Sequence, residues 1–377
     1  MLVQTKLSKI SCAVDVNVIP LMDEALQDLG LPEILIQRAK QVCLIDRSPW
    51  FGLRSATTPE ETRACIYRFR VPPQYEPGVM RRIAEAADLF LPGRGSIYAE
   101  TVQMFRGIPL EFDEEKLASL CAEGTVPMEN YAVLCCIVPR GMASSLAATI
   151  LEMGLCVPLI SFGRGLGLRD RLGLLRVTIP VEKEVLYLVV PRIDAELIEG
   201  VIVHKARLDL PGQGFVYRRY VRALTVNIRV RRGKRRDAAT MEQVIAALDQ
   251  LRGSSDWRRV DESHQGRSPE GKEVESLACL SLITDEGSAD TFGKAAMDVG
   301  AGGVTLIPFE YRSYTGEKED HSASHAKETC DLIIPITMQD AVLKEIESLG
   351  LYGGETAGVV EIISVHKAIT YRGNQKR

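Results

Sequence analysis

Two short glycine turns are the residues of this sequence best suited to hold a ligand. Gly93-Arg94-Gly95 and Gly212-Gln213-Gly214 each place two glycines one residue apart. Glycine reaches positive φ without a Cβ clash, and successive N–H groups in such a turn can converge on an anion. The chemistry on offer is binding of a phosphate; a tight turn that needs glycine for geometry alone fits the same residues. Arg164, in Gly163-Arg164-Gly165, adds a guanidinium able to pair with a phosphate through two donors. A solvated loop cation is the competing reading. Arg47 in Asp46-Arg47-Ser48 and Arg312 in Tyr311-Arg312-Ser313 fall near the corresponding place elsewhere in the chain. Groups that could make and break bonds are scarce. There is no G-x-S-x-G, H-E-x-x-H or Walker loop, and Cys12, Cys136 and Cys279 lie in strand-like runs with no adjacent His. No catalytic residue is assigned and an enzyme is not expected. His321 and His325 form an H-x3-H pair without an evident third ligand, so no metal site is expected either.

The two turns belong to a longer repeated phrase. Pro92-Gly93-Arg94-Gly95-Ser96-Ile97-Tyr98 returns as Pro211-Gly212-Gln213-Gly214-Phe215-Val216-Tyr217. In both copies the first Gly lies 21 residues after the Pro of a Val-Pro pair, Val71-Pro72 and Val190-Pro191. A third, more diverged copy opens at Ile334-Pro335 and reaches Gly353-Gly354 and Gly358. Upstream, Cys12 to Gly30 and Cys136 to Gly154 span the same 18 residues, and Leu282 leads into a helix that stops at Gly300. Three repeats are expected.

The middle copy shows the elements that must position the turn. Tyr131–Pro139 reads as a buried strand, and Met142–Met153 as an amphipathic helix closed by Gly154. Val157–Phe162 is a second strand, followed by a glycine- and arginine-rich loop from Gly163. Val185–Val190 is a third strand. Leu197, Ile198, Val201 and Ile202 mark the face of a second helix, and Phe215–Val221 is a fourth strand. In the first copy the second helix shows Val79, Ile83, Ala87 and Phe90; in the third it shows Met338, Val342, Ile346 and Leu349. Strand-helix-strand, loop, strand-helix-strand predicts an α+β fold of three tandem ferredoxin-like (βαββαβ) units. Each sheet has a second apolar face that needs cover, which predicts a pseudo-trimer packed about a threefold axis.

The expected organisation is repeat 1 over 7–106, an acidic linker over 107–130 and repeat 2 over 131–231. A linker with an amphipathic helix follows over 232–275, then repeat 3 over 276–373. The basic run Arg231–Arg236 reads as a solvated linker. With 46% hydrophobic residues, 25% charged residues and net charge −4, nothing pushes the chain toward nucleic acid. No apolar run is long enough to span a membrane, and the N-terminus lacks a signal-peptide pattern. Nine cysteines sit mostly in apolar runs, which predicts reduced, buried thiols and a cytoplasmic location.

At this point the pattern resembles the PII-type nitrogen-regulatory signal-transduction protein family. Ser161-Phe162-Gly163-Arg164-Gly165 is similar to the segment at the base of that family's T-loop. Leu188-Val189-Val190-Pro191 looks like its Ile-Val-Val-Pro strand end, and Pro211-Gly212-Gln213-Gly214 falls at its phosphate-holding B-loop. The lysine that follows the family's B-loop glycines is not kept: Phe215 and Ser96 stand there. PII proteins are homotrimers that bind adenine nucleotides between subunits and signal through their T-loops. The resemblance therefore implies a monomer with an internal threefold, binding ATP, ADP or AMP through Arg164, Gly212, Gln213, Gly214, Gly93, Arg94 and Gly95. It further implies a regulated transporter or enzyme as partner, addressed by loops Ser48–Glu61, Gly163–Thr178 and Tyr311–Thr329. A ligand-free pseudo-trimeric interaction scaffold is the alternative.

Overall fold

The computed structural model describes residues 2–47, 56–91, 93–121, 128–154, 156–167, 181–227, 231–232, 276–314, 326–353 and 358–370. The chain is a mixed α/β structure with one large sheet, antiparallel except for one short parallel pairing, and seven helices among the described residues. The first third runs β1 (Val3–Asp15), α1 (Ile19–Leu29), β2 (Ile34–Arg47), β3 (Ala56–Val71), α2 (Glu76–Ala86) and β4 (Gly95–Arg106). A short helix, α3 (Glu114–Cys121), follows inside the acidic stretch and buries Leu117. The middle third runs β5 (Glu129–Pro139), α4 (Ala143–Met153), β6 (Leu159–Leu166), β7 (Glu182–Pro191), α5 (Ala195–Lys205) and β8 (Phe215–Thr225). After the two-residue β9 (Arg231–Arg232), the last third runs β10 (Leu277–Asp285), α6 (Ala289–Asp298), β11 (Val304–Arg312), β12 (Ala326–Pro335), α7 (Gln339–Ser348), β13 (Val359–Val365) and β14 (Lys367–Thr370).

Local signals account for most of these elements. Gly30 and Gly154 close α1 and α4 in the left-handed conformation (φ 64° and 78°), freeing the chain to turn back without a Cβ penalty. Ile198 and Ile202 of α5, Val79 and Ile83 of α2, and Val342 and Ile346 of α7 are buried at helical spacing. Leu197, Phe90 and Leu349 depart from the expected faces and are exposed. Phe90 and Leu349 lie beyond their helix ends, where the helical period no longer points inward.

Strand order repeats. It is β4-β1-β3-β2, then β8-β5-β7-β6, then β13-β10-β12-β11, each the fourth, first, third and second strand of its third. Registers fix related positions: Leu35 opposite Arg68, Leu159 opposite Tyr187, and Thr305 opposite Asp331. The second strands also pair with one another, Lys40 with Ile160, Arg164 with Leu306, and Glu310 with Ile36. The fourth strands do so too, Tyr98 with Ala223, Met104 with Glu361, and Tyr217 with Ala368 of β14.

This pairing corrects the expected end of β6. The strand continues through Gly163-Arg164-Gly165 to Leu166 instead of opening into a loop. The glycines permit it: a Cβ at Gly163 would stand 2.7 Å from the Leu306 carbonyl oxygen on the adjoining strand. Three clusters pack helices on sheet, one centred on each third. A fourth joins all thirds, drawing in Ile66 and Met104, Cys135 and Tyr187, and Ile307 and Ile363.

The expected helix over 237–251 and linker 233–275 lie outside the described residues, as do Trp50, Phe51, His321, His325 and most of the three expected T-loops.

Candidate functional site

Both glycine turns form, and both require glycine. Gly93, Gly212 and Gly214 have φ of 86°, 78° and 112°, in the region that side chains strain to enter. Gly95 instead sits so close to β1 that a Cβ would collide with the Ala13 carbonyl oxygen. At Gly214 a Cβ would collide with the carbonyl oxygen of Ile137 on β5. Gly95 and Gly214 are therefore needed by the fold itself, whatever the turns bind. Gly353 and Gly358 are described in the third copy; residues 354–357 between them lie outside the described residues.

The two turns differ in what their amides do. The Gly93 N–H donates to the Asn227 side-chain oxygen at 3.1 Å. Asn227 is locked there by its own N–H, which donates to Ser96 Oγ at 2.8 Å, and by its carbonyl, which accepts from Val157 N–H at 3.1 Å. Arg94 is tied in through its backbone: its carbonyl accepts from Asp15 N–H at 3.2 Å and its N–H donates to the Leu91 carbonyl at 3.2 Å. The first turn is thus filled by the chain leaving β8. Among the described residues, the N–H groups of Gly212, Gln213 and Gly214 have no such partner, and these residues are partly exposed. The first copy's amide holds a carboxamide; the middle copy's amides have no such partner among the described residues.

Arg164 is set apart from that turn. It lies on β6 and Gly214 adjoins β5, with the strand order β8-β5-β7-β6 between them. About three strand spacings, roughly 14 Å along the sheet, separate the two residues. The Arg164 guanidinium instead donates to Glu328 on β12 at 2.8 Å and lies 3.7 Å from Asp290. Glu328 also accepts the Gly287 N–H at 3.2 Å, so the pair ties β6 to the start of α6. Hydrogen bonding to Glu328 pushes the Arg164 pKa further up. Arg47 and Arg312 are not the counterparts of Arg164: the shared register puts Lys40 and Glu310 there. Lys40 pairs with Glu61 at 2.8 Å, and Arg312 is taken up by Glu310 and by Asp23.

A second polar constellation, not expected from the sequence, lies in the shared core. Glu361 on β13 is fully buried between Lys9 Nζ, at 2.6 Å, and Arg70 Nε. Arg219 on β8 donates to Glu100 on β4 at 2.7 Å. Arg68 donates to Gln37 and lies over the Tyr187 and Phe309 rings. Gln37 in turn donates to Ser161 at 2.7 Å. Burial alone would raise the Glu361 carboxyl; Arg70 and Lys9 more than offset it and hold the pKa at about 2. Burial pushes the Asp331 carboxyl up, only partly opposed by Ser281 and nearby cations. Burial likewise pushes the Cys135 and Cys279 thiols up, to about 11 and about 12, so neither is poised as a nucleophile. The sequence carried little signal for this cluster: Lys9, Arg68, Arg70, Arg219, Asp331 and Glu361 sit on strands that hold other polar residues, and their alternation with apolar neighbours reads equally as a wet face.

No family model matches the chain, and no curated protein resembles it in sequence. Among solved structures it is similar to an aspartate kinase from Synechocystis, at 9% identity and a TM-score of 0.20, over 95% of this chain and 44% of that one. The chain thus spans less than half of that kinase, and at this TM-score the likeness informs neither fold nor activity. Among the described residues no helix is long and apolar enough to cross a membrane.

Proposed function

We propose that the chain is a covalent pseudo-trimer of three ferredoxin-like units of PII type, and that it regulates a partner by sensing an anionic ligand. The ligand class is an adenine nucleotide, ATP, ADP or AMP, held by the phosphate on the Gly212–Gly214 amides. The partner is a transporter or enzyme addressed by the long loops between second and third strands. Support for three units comes from the repeated strand order and from the two sets of cross-pairings, which recur at related positions in each third. Joining the units in one chain raises their effective concentration and leaves each free to diverge.

The observation that carries the ligand reading is the contrast between the turns. An acceptor oxygen already occupies the Gly93 amide, while the amides of Gly212–Gly214 have no such partner among the described residues. Nitrogen donors converging in a glycine turn select an anion, and one open turn among the described residues supports one principal site. Calorimetry with ATP, ADP and AMP tests this, with about one site per chain expected. Gln213→Glu, which sets a carboxylate beside the turn, should weaken binding about tenfold or more by like-charge repulsion. No heat and no thermal stabilisation with any of the three nucleotides would sink the sensor reading. The ligand-free scaffold would then stand, favoured by the filled first turn and by the commitment of Arg164 to Glu328.

A further inference from the structure

The shared core contains a cavity of about 30 Å³, lined by Lys9, Arg68, Arg70, Arg219, Asp331 and Glu361 among others. On that measure a water needs at least about 10–15 Å³, so there is room for one or two waters or one compact ion, and none for a nucleotide. The charges around it do not balance. Lys9 and Arg70 share Glu361, and Arg219 is paired with Glu100. Among the described residues Arg68 has no carboxylate within ion-pair distance; its contacts are Gln37 and two aromatic rings. With Asp331 ionised, four cations face three carboxylates; with Asp331 neutral, they face two. Six of these seven side chains belong to residues less than 9% exposed, and the seventh, half-buried Asp331, has its Oδ1 buried. A buried charge without a counter-ion is strongly unfavourable, because the interior cannot replace its hydration.

Polar atoms are also left over. Arg70 Nη2, Arg219 Nε and Thr329 Oγ1 are buried without a hydrogen-bond partner among the described residues, and all three side chains line the cavity. Asp331 Oδ1 is likewise unpartnered. Burial favours the protonated acid at Asp331, which would then donate as well. Donors surround this space, and positive charge is in excess.

We propose that the cavity binds one compact monovalent anion, of the size of chloride, as counter-ion to the buried arginines. This goes beyond the nucleotide reading and does not depend on it. The site is lined by strand residues from all three thirds of the chain, so the ion would bridge them. It would stabilise the folded state by mass action, as any ligand of the folded form does.

The test uses the full chain without added nucleotide. Crystals grown in bromide should show an anomalous peak in the cavity, within hydrogen-bond reach of Arg70 and Arg219. In solution, the unfolding temperature should rise with chloride and saturate, while gluconate at equal ionic strength gives no such rise. Arg68→Met removes the cation that has no carboxylate and should abolish the chloride dependence, whereas Arg68→Lys should retain it. A cavity holding only waters in bromide-grown crystals overturns the proposal, and so does equal stability in chloride and gluconate. Should Arg68→Met not fold, the diffraction experiment on the unaltered chain still decides.

Discussion

Replacing Glu361 by glutamine removes the one carboxylate that two buried cations share. Lys9 Nζ stands 2.6 Å from Glu361 Oε2, and Arg70 Nε bonds the other oxygen, all buried in the shared core. Its pKa of about 2, against an ordinary 4.5, corresponds to roughly 3 kcal/mol of folding free energy at neutral pH. Mutational experience with broken buried pairs, about 3–5 kcal/mol, gives the same scale. The sign follows from the depressed value. This stabilisation is fully present above pH 4.5 and is lost as the pH falls toward 2. Denaturant unfolding of parent and Glu361→Gln at pH 7 should therefore differ by about 3 kcal/mol, and the difference should shrink steadily below pH 4.5. Replacing Lys9, Arg70 and Glu361 together by methionine should recover much of the loss, because no charge is then stranded. Equal midpoints for parent and Glu361→Gln at pH 7 would refute the assigned role of the triad.

Other outcomes follow from the same geometry. Gly214→Ala should fail to give folded chain, as its Cβ meets the Ile137 carbonyl, so this substitution measures folding and not ligand contact; circular dichroism of the soluble fraction checks it. Asn227→Ala should cost about 1 kcal/mol through the lost Gly93 and carboxamide hydrogen bond. By exposing the first turn, it should also add a second, weaker nucleotide site in calorimetry. Arg164→Ala should cost no more than about 1 kcal/mol, since the side chain is half exposed and Glu328 keeps the Gly287 N–H; chemical denaturation measures it. Seven of the nine cysteines are buried, so a thiol reagent at pH 8 should label at most Cys65 and Cys121 before unfolding and all nine after.

Much of the chain's local order was legible in its residues. The alternation and helical spacing around Cys12, Cys136 and Leu282, the αL stops at Gly30 and Gly154, and the Gly-x-Gly turns are local features, governed by backbone sterics and nearest neighbours. They survive in any tertiary setting, so the strand and helix order of each third could be read directly. Gly163–Leu166 could not, because a glycine-rich stretch becomes strand only when another strand arrives to pair with it.

Which face of each strand is dry was decided by the tertiary structure alone. In β3, Arg68 and Arg70 alternate with Phe69 and Val71, the pattern of a strand with one wet face, yet all four are buried. Period-two alternation says that two faces differ; it does not say that the polar one meets water. Here it meets strands from distant parts of the chain: Glu361 is 291 residues from Arg70, and Glu328 is 164 from Arg164. The partner that keeps Asn227 in the Gly93 turn is likewise 134 residues away. Sequence spacing carries the short-range sterics that make elements and turns. Counter-ions for buried charges are set by packing between elements, and only the assembled fold brings them together.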